Sequence, residues 1–205
     1  IMEVGGGGTE VLAVRGGRVS FSQAYKLGSL RMRQMIEDEL APAASVRELL
    51  EGQVARYVQQ LTEMLAEDEE RALVVMGGDA RFAVSRLLPD WDKTRMVTLS
   101  VTKLEALMEK ILNQDVDELV RAYHITYPEA ETLGLALLAY VRMAQGLGLE
   151  ELQVTNLSMR DGVMAEMVAQ SAWTGQFTQQ IIHSALTPAW VLLRTSCCVS
   201  NIFLH

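Results

Sequence analysis

The chain opens with apolar and polar residues that alternate with a period of two, a pattern typical of β-strands. Two alternating stretches, residues 10–15 and 18–26, flank Gly16 and Gly17, a pair that favours a two-residue turn and so predicts a β-hairpin. Residues 1–4 are also strand-like. We expect them to join the hairpin in one sheet.

Beyond the hairpin, apolar residues recur every three or four positions, which predicts helices. The first helix is long and amphipathic: Ser45 and Glu48 form a capping box at its start, and we expect it to fray near Ala66. The segments that follow are an acidic loop 67–70, strand 71–76, helix 79–88, helix 102–112 capped by Thr102 and Glu105, helices 116–122 and 128–147, strand 152–155 and helix 159–168. Strands that alternate with helices predict an α/β fold.

Four consecutive glycines, residues 5–8, connect the first two strands. Glycine can take positive φ and lacks a Cβ, so such a loop can approach a ligand closely, and its successive N–H groups form a concavity suited to phosphate oxygens. Glu3 and Glu10 lie on either side of the loop. Carboxylates beside a phosphate require a hard cation such as Mg²⁺, or an attacking water that one of them orients. A solvated glycine turn is the alternative interpretation of the same pattern.

Two more turns follow strands, at residues 77–80 and 156–160. In open α/β sheets, ligands bind beyond the carboxyl ends of the strands, where the N–H groups of the next helix point outward. We therefore expect these two turns and residues 5–9 to border one cleft. Arg31, Arg81 and Arg160 are candidate cations for a phosphate, although exposed surface arginines give the same pattern.

Composition narrows the class of protein. With 205 residues, of which 49% are hydrophobic, the chain can bury one sizeable core. A net charge of −8 argues against nucleic-acid or membrane-surface partners, because both require a basic face. The longest apolar runs are too short to span a bilayer. Cys197 and Cys198 form neither a disulfide framework nor a metal-ligand spacing, so we expect a cytoplasmic protein.

Four blocks in order carry a family resemblance: the glycine block 5–11, the block 24–32, the Met-Gly-Gly-Asp-Ala-Arg block 76–81 and the block 152–163. Together they resemble the exopolyphosphatase and guanosine pentaphosphate phosphatase (Ppx/GppA) family, whose fold is similar to that of actin and Hsp70-type ATPases. The resemblance covers residues 1–168 and implies an actin-like (ribonuclease H-like) mixed sheet flanked by helices. The sequence departs from the family pattern at three positions, Glu3, Gly8 and Asp79, where aspartate, serine and threonine are usual.

The resemblance also implies where the chain is incomplete. In the family, a catalytic glutamate, a first phosphate-binding loop and half of the domain pair lie upstream of the glycine block. Residues 1–168 would then be the C-terminal part of the actin-like core, lacking its N-terminal half and inactive alone. Residues 169–205 would be the start of a truncated helical (HD-like) extension or a disordered tail.

The activity implied by the resemblance is Mg²⁺-dependent release of terminal phosphate from inorganic polyphosphate or guanosine pentaphosphate. Glu10 would be the catalytic carboxylate and Glu3 a metal ligand. The implied substrate-binding residues are Gly5, Gly6, Gly7, Gly8, Thr9, Gly78, Asp79 and Ala80. At Asp79, a carboxylate that merely caps its own helix is the competing interpretation.

Two other functions stay open. In a non-catalytic phosphate-binding or regulatory module of the same fold, the departures at Glu3, Gly8 and Asp79 would mark lost chemistry. A kinase or ATPase of the same fold would need an adenosine pocket near residues 77–80. We also expect the isolated chain to form homo-oligomers, because a sheet that starts mid-strand leaves backbone groups unpaired.

Overall fold

The computed structural model describes residues 1–30, 43–64, 71–158 and 161–164. Six strands form one mixed sheet: β1 (Met2–Val4), β2 (Thr9–Arg15), β3 (Arg18–Tyr25), β4 (Val74–Met76), β5 (Val97–Ser100) and β6 (Glu151–Val154). The helices are α1 (Ala43–Met64), α2 (Gly78–Leu87), α3 (Val101–Leu112), α4 (Val116–Tyr123) and α5 (Tyr127–Gly146). The predicted α/β fold, a mixed sheet flanked by helices, is confirmed.

The strand order across the sheet is β3-β2-β1-β4-β6-β5. Strands β1, β4 and β6 are parallel neighbours, whereas β2, β3 and β5 run antiparallel to the strands beside them. The carboxyl ends of the three parallel strands therefore lie at one edge of the sheet.

The predicted hairpin is confirmed. Strands β2 and β3 pair antiparallel around Gly16 and Gly17, whose φ angles are 54° and 71°. Positive φ at both central residues is the requirement of a type I′ turn, which glycine meets without steric cost. Strand β1 pairs with β2 as expected, but it also pairs with β4 on its other side. It is therefore a central strand, and the expectation that it leaves an unpaired edge is wrong.

The core is built around α5, whose residues from Leu133 to Ala144 are buried with few exceptions. Two glycines allow neighbouring helices to lie close to it. A Cβ at Gly134 would be 2.6 Å from Leu112 Cδ2 of α3, and one at Gly146 would overlap the Cγ1 of Val58 on α1. At its periphery, Arg142 forms ion pairs of 2.9 and 3.0 Å with a glutamate of α1 and one of α3, Glu51 and Glu105.

Two predicted helix starts are wrong. Helix α1 already includes Ala43, so Ser45 lies inside it rather than at its cap. Helix α3 begins at Val101, and the side chain of Ser100, not Thr102, accepts a bond from the N–H of Lys103 at 3.5 Å. The reason for the second error is a strand absent from the prediction: β5 runs directly into α3 with no turn between them.

Several predictions fall outside the described residues: the acidic run 67–70, most of helix 159–168, the extension 169–205, and the side chains of Arg31, Arg160, Cys197 and Cys198. Residues 161–164 are helical, in agreement with the part of the prediction that they cover. In the described part of the chain, no helix combines the length and the apolar character needed to span a membrane.

Candidate functional site

Three strand-to-helix turns meet at the carboxyl edge of the parallel strands. The glycine loop (residues 5–8) follows β1, the Gly77 turn (residues 77–80) follows β4, and the Asn156 turn (residues 155–158) follows β6. Because β1, β4 and β6 are adjacent and parallel, these turns are neighbours at one edge, as the sequence predicts.

The Asn156 turn is fixed by local hydrogen bonds. The N–H and hydroxyl of Ser158 both donate to the Asp161 carboxylate, at 2.7 and 2.6 Å. These bonds lower the pKa of Asp161, and the positive charge of Arg81 lowers it further. Arg81 belongs to α2, so its charge connects the Asn156 turn with the Gly77 turn.

Glu3 and Glu10 lie directly opposite each other in the antiparallel pairing of β1 and β2. Side chains of directly paired residues point to the same face of a sheet, so both carboxylates are on one face beside the glycine loop. Burial raises the pKa of Glu10 from 4.5 to about 7, and the negative charge of Glu3 adds to the rise. The pair therefore favours holding a proton, or a cation, between its two carboxyl groups.

The glycine loop is closed by a hydrogen bond of 2.8 Å from the N–H of Gly5 to the carbonyl of Gly8. None of its four glycines has positive φ, so the expected use of the left-handed region is wrong. The loop needs glycine for another reason, which is close packing on the segment after β3. A Cβ at Gly8 would be 2.7 Å from the carbonyl oxygen of Tyr25.

Gly28 packs directly against the backbone of the glycine loop, and it was not among the predicted site residues. A Cβ at Gly28 would overlap the carbonyl oxygen of Gly6 and the nitrogen of Gly8. The carbonyls of Gly5 and Gly6 accept bonds of 3.0 and 3.1 Å from the N–H groups of Ser29 and Leu30. The signal was present, since Gly28 lies within the block 24–32 of the family resemblance, but its contact with the loop is not local in sequence.

Thr9 is buried, with 1% of its surface exposed. Its hydroxyl donates to the carbonyl of Leu27, on the same segment that carries Gly28. Thr9 thus anchors the end of the glycine loop to residues 27–30.

The Gly77 turn depends on a backbone conformation that favours glycine. Gly77 has φ 111° and ψ 171°, and α2 begins at the next residue, Gly78. Asp79 follows in the first turn of α2. Burial raises its pKa to about 6, the negative charge of Glu129 adds to the rise, and a bond from its own N–H opposes it. Ala80 is buried beneath the turn.

Tyr140 of α5 contacts the site from the core. Its hydroxyl accepts a bond of 3.2 Å from the N–H of Val4 and donates one of 2.7 Å to the carbonyl of Met76. A Cβ at Gly77 would be 3.4 Å from this hydroxyl and 3.8 Å from Glu3 Cγ. Sequence reasoning missed Tyr140, although a phenol in a helix whose other buried residues are apolar must find a polar partner.

The residues present fit a magnesium ion bound through few protein ligands. Within the described ranges, no three His, Cys, Asp or Glu side chains form a group that could hold a metal by themselves. Mg²⁺, however, is commonly bound through one or two carboxylates together with water and substrate phosphates. The paired carboxylates of Glu3 and Glu10 match that pattern.

No protein-family model and no curated protein matches the sequence. Solved structures do match the fold. A Ppx/GppA family member from Aquifex aeolicus superposes with a TM-score of 0.71 and 12% identity, over 84% of this chain and 56% of that one. An exopolyphosphatase from Cytophaga hutchinsonii gives a TM-score of 0.70 and 13% identity, over 82% of this chain and 56% of that one.

A third structure, described as an exopolyphosphatase-like protein, gives a TM-score of 0.69 and 16% identity, over 83% of this chain and 59% of that one. The chain thus spans little more than half the length of each of these proteins. At such low identity, the likeness establishes the fold. The mixed sheet and helices of this chain have the actin-like fold of the Ppx/GppA phosphatase structures.

Proposed function

We propose that this chain is part of a magnesium-dependent phosphoanhydride hydrolase that releases terminal phosphate from inorganic polyphosphate or guanosine pentaphosphate. The observation that carries the proposal is the position of Glu3 and Glu10, paired across β1 and β2 beside the glycine loop. They lie at the edge where the three turns meet, in a fold that exopolyphosphatases share. As this chain covers about half of those structures, the activity is proposed for the whole protein.

Each part of the site has a role in this proposal. Glu3 would hold Mg²⁺, which when bound would neutralise charge on the phosphoryl oxygens. Backbone N–H groups of the glycine loop bind those oxygens. Glu10 orients the attacking water, and its pKa of about 7 suits a general base that works near neutral pH.

The net charge supports a cation-dependent site. A chain with a net charge of −8 repels a polyanion unless local cations compensate. Arg81, in the first turns of α2, is the described cation nearest in sequence to the Gly77 turn. Its charge acts on both Asp79 and Asp161, which flank two of the three turns.

Calorimetric titration with inorganic tripolyphosphate tests the binding part of the proposal. We expect the 205-residue chain to bind it with Mg²⁺ and to lose most of that affinity when EDTA is present. Glu3→Gln and Glu10→Gln should weaken the magnesium dependence. Glu150→Gln is the matched control, because this exposed carboxylate precedes β6 at the opposite edge of the sheet. Equal binding with and without Mg²⁺ would argue against the proposed site.

Phosphate release by the protein expressed from its complete open reading frame tests the catalytic part. We expect Glu10→Gln to lower the rate by about 10²-fold, because it removes the charge and basicity while keeping the size of the side chain. The Glu150→Gln protein should keep the wild-type rate.

A non-catalytic binding module of the same fold is the second candidate. Asp79 favours this second candidate. Its largely buried carboxylate lies in the first turn of α2, where it accepts a bond from its own N–H. A phosphate would otherwise use such N–H groups. Tight binding of tripolyphosphate without turnover by the complete protein would support this alternative.

A further inference from the structure

The hydroxyl of Tyr140 forms hydrogen bonds with the ends of two neighbouring strands, β1 and β4. On either side of β1, the carbonyl of Ile1 accepts a bond from the N–H of Leu12, and the N–H of Gly5 donates to the carbonyl of Gly8, so Ile1 and Gly5 both direct their bonding groups toward the β2 side. Alternate residues of a strand direct their N–H groups to opposite sides. The N–H of Val4 therefore points away from β2, toward β4.

In the parallel pairing of β1 with β4, Met2 lies opposite Val75 and Glu3 opposite Met76. In this register, the N–H of Val4 faces the carbonyl of Met76. The Tyr140 hydroxyl bonds to both of these groups: it accepts from the N–H of Val4 at 3.2 Å and donates to the carbonyl of Met76 at 2.7 Å. It thus ties the ends of β1 and β4 to α5.

These two bonds are not required for burial alone. A phenylalanine at position 140 would fill the same space without a polar group. With tyrosine, the buried hydroxyl has both a donor and an acceptor, but only while Val4 and Met76 stay within hydrogen-bonding distance of it. Tyr140 thus fixes where the two strand ends lie relative to α5.

The two strand ends lead into the glycine loop and the Gly77 turn. Val4 directly precedes the loop, and Met76 directly precedes Gly77. We propose that Tyr140 is a positioning residue of the site: its hydroxyl, held between Val4 and Met76, sets the gap between the glycine loop and the Gly77 turn into which a terminal phosphoryl group fits. The inference rests on the proposed function for the identity of the ligand.

Tyr140→Phe removes the hydroxyl and Tyr123→Phe is its control. The Tyr123 hydroxyl is also buried, but it makes no hydrogen bond with any residue that the structure describes. In amide NMR spectra, we expect Tyr140→Phe to shift the signals of the glycine loop and of the Gly77 turn together. Tyr123→Phe should leave both unchanged. Tripolyphosphate with Mg²⁺ should bind the Tyr140→Phe chain at least about tenfold more weakly, since a small misplacement of binding groups is costly.

Both readouts are needed. If Tyr140→Phe leaves the amide signals of both turns unchanged, Tyr140 does not set the gap, whatever happens to affinity. If the signals move while tripolyphosphate binds as to wild type, the gap is not the phosphate site and the proposal is overturned. If wild type itself binds no tripolyphosphate, the proposed function fails, while the amide signals still decide whether Tyr140 positions the two turns.

Hydrogen exchange on the wild-type chain tests the same contact without a variant, and so does not depend on whether Tyr140→Phe folds. The amide of Val4 should exchange as slowly as those of the paired residues of β2, because it donates to a buried hydroxyl. Rapid exchange at Val4 in the native chain would contradict the contact on which the proposal depends.

Discussion

At the scale of single residues, the site combines groups that the sequence identifies with groups that it hides. Glu3 and Glu10 stand out because they flank a glycine run, and their pairing follows from a local hairpin. Tyr140 does not stand out, because its two partners are 136 and 64 residues away in sequence. Contacts of that range depend on how the sheet and α5 come together, which periodicity and spacing do not encode.

The Glu3–Glu10 pair makes stability depend on pH. The pKa of Glu10 is raised from 4.5 to about 7 in the folded chain, so the folded state binds the proton more tightly than the unfolded state. This contribution is fully present below pH 4.5 and is lost as pH rises to 7. Asp79, with its pKa raised from 3.8 to about 6, acts in the same direction at lower pH.

We therefore expect the free energy of unfolding, measured with urea, to fall between pH 4.5 and 7. After allowance for solvent screening of a half-buried group, Glu10 should account for about 1–2 kcal/mol of that fall. Glu10→Gln should flatten the curve, and Glu150→Gln should not. A wild-type stability that rises over this range would show that Glu10 is not the titrating group.

Gly28 provides a second residue-scale test. We expect Gly28→Ala to lower the free energy of unfolding by about 1–3 kcal/mol, because the new Cβ overlaps the backbone of the glycine loop. Gly7→Ala is the control: a Cβ at Gly7 has open space and φ there is not positive, so the change should lie within about 0.5 kcal/mol. Urea unfolding of both variants measures the difference. Equal costs would mean that the loop does not rest on Gly28.

At the scale of elements, the sequence predicted most of what is locally encoded. The β2–β3 hairpin follows from two glycines that adopt the turn conformation themselves. Helix α5 follows from a long apolar pattern. Strand β5 was missed because four residues that run straight into a helix carry neither a turn signal nor enough alternation. The start of α3 was misplaced for the same reason, since Thr102 and Glu105 match a capping box that begins two residues after the observed N-cap, Ser100.

The contact between α1 and α5 yields a test of helix packing. Gly146→Ala places a Cβ on the Cγ1 of Val58, and valine has little rotamer freedom in a helix. We expect a loss of about 1–3 kcal/mol in the free energy of unfolding. The double variant with Val58→Ala should cost less than the sum of the two single changes.

Gly52→Ala is the matched control on α1. This exposed glycine has open space around it, so alanine should stabilise the chain by about 0.5–1 kcal/mol through helix propensity. Additive effects in the double variant of Gly146 and Val58 would mean that the two residues do not contact each other.

At the scale of the whole molecule, the open sheet bears on association. Among the described strands, β3 and β5 are the outer ones, and Val19 of β3 is 39% exposed. Exposed apolar residues on an outer strand favour pairing with another chain. Self-association stays a prediction. Light scattering should detect species larger than a monomer at micromolar concentration, and Val19→Lys should reduce them; a monomeric wild type would contradict it.

The parallel order of β1, β4 and β6 also has a consequence for how the chain folds. Strands β1, β2 and β3 are contiguous in sequence. The parallel pairs are not: Met2 pairs with Val75, and Val75 pairs with Val154, so the parallel strands can pair only when these distant segments are present. Pairings of such long range form late, because the entropy of closing a long loop opposes them. The edge that carries the three turns is thus complete only after most of the described chain has been synthesised. A ligand that binds there would stabilise the assembled sheet as a whole.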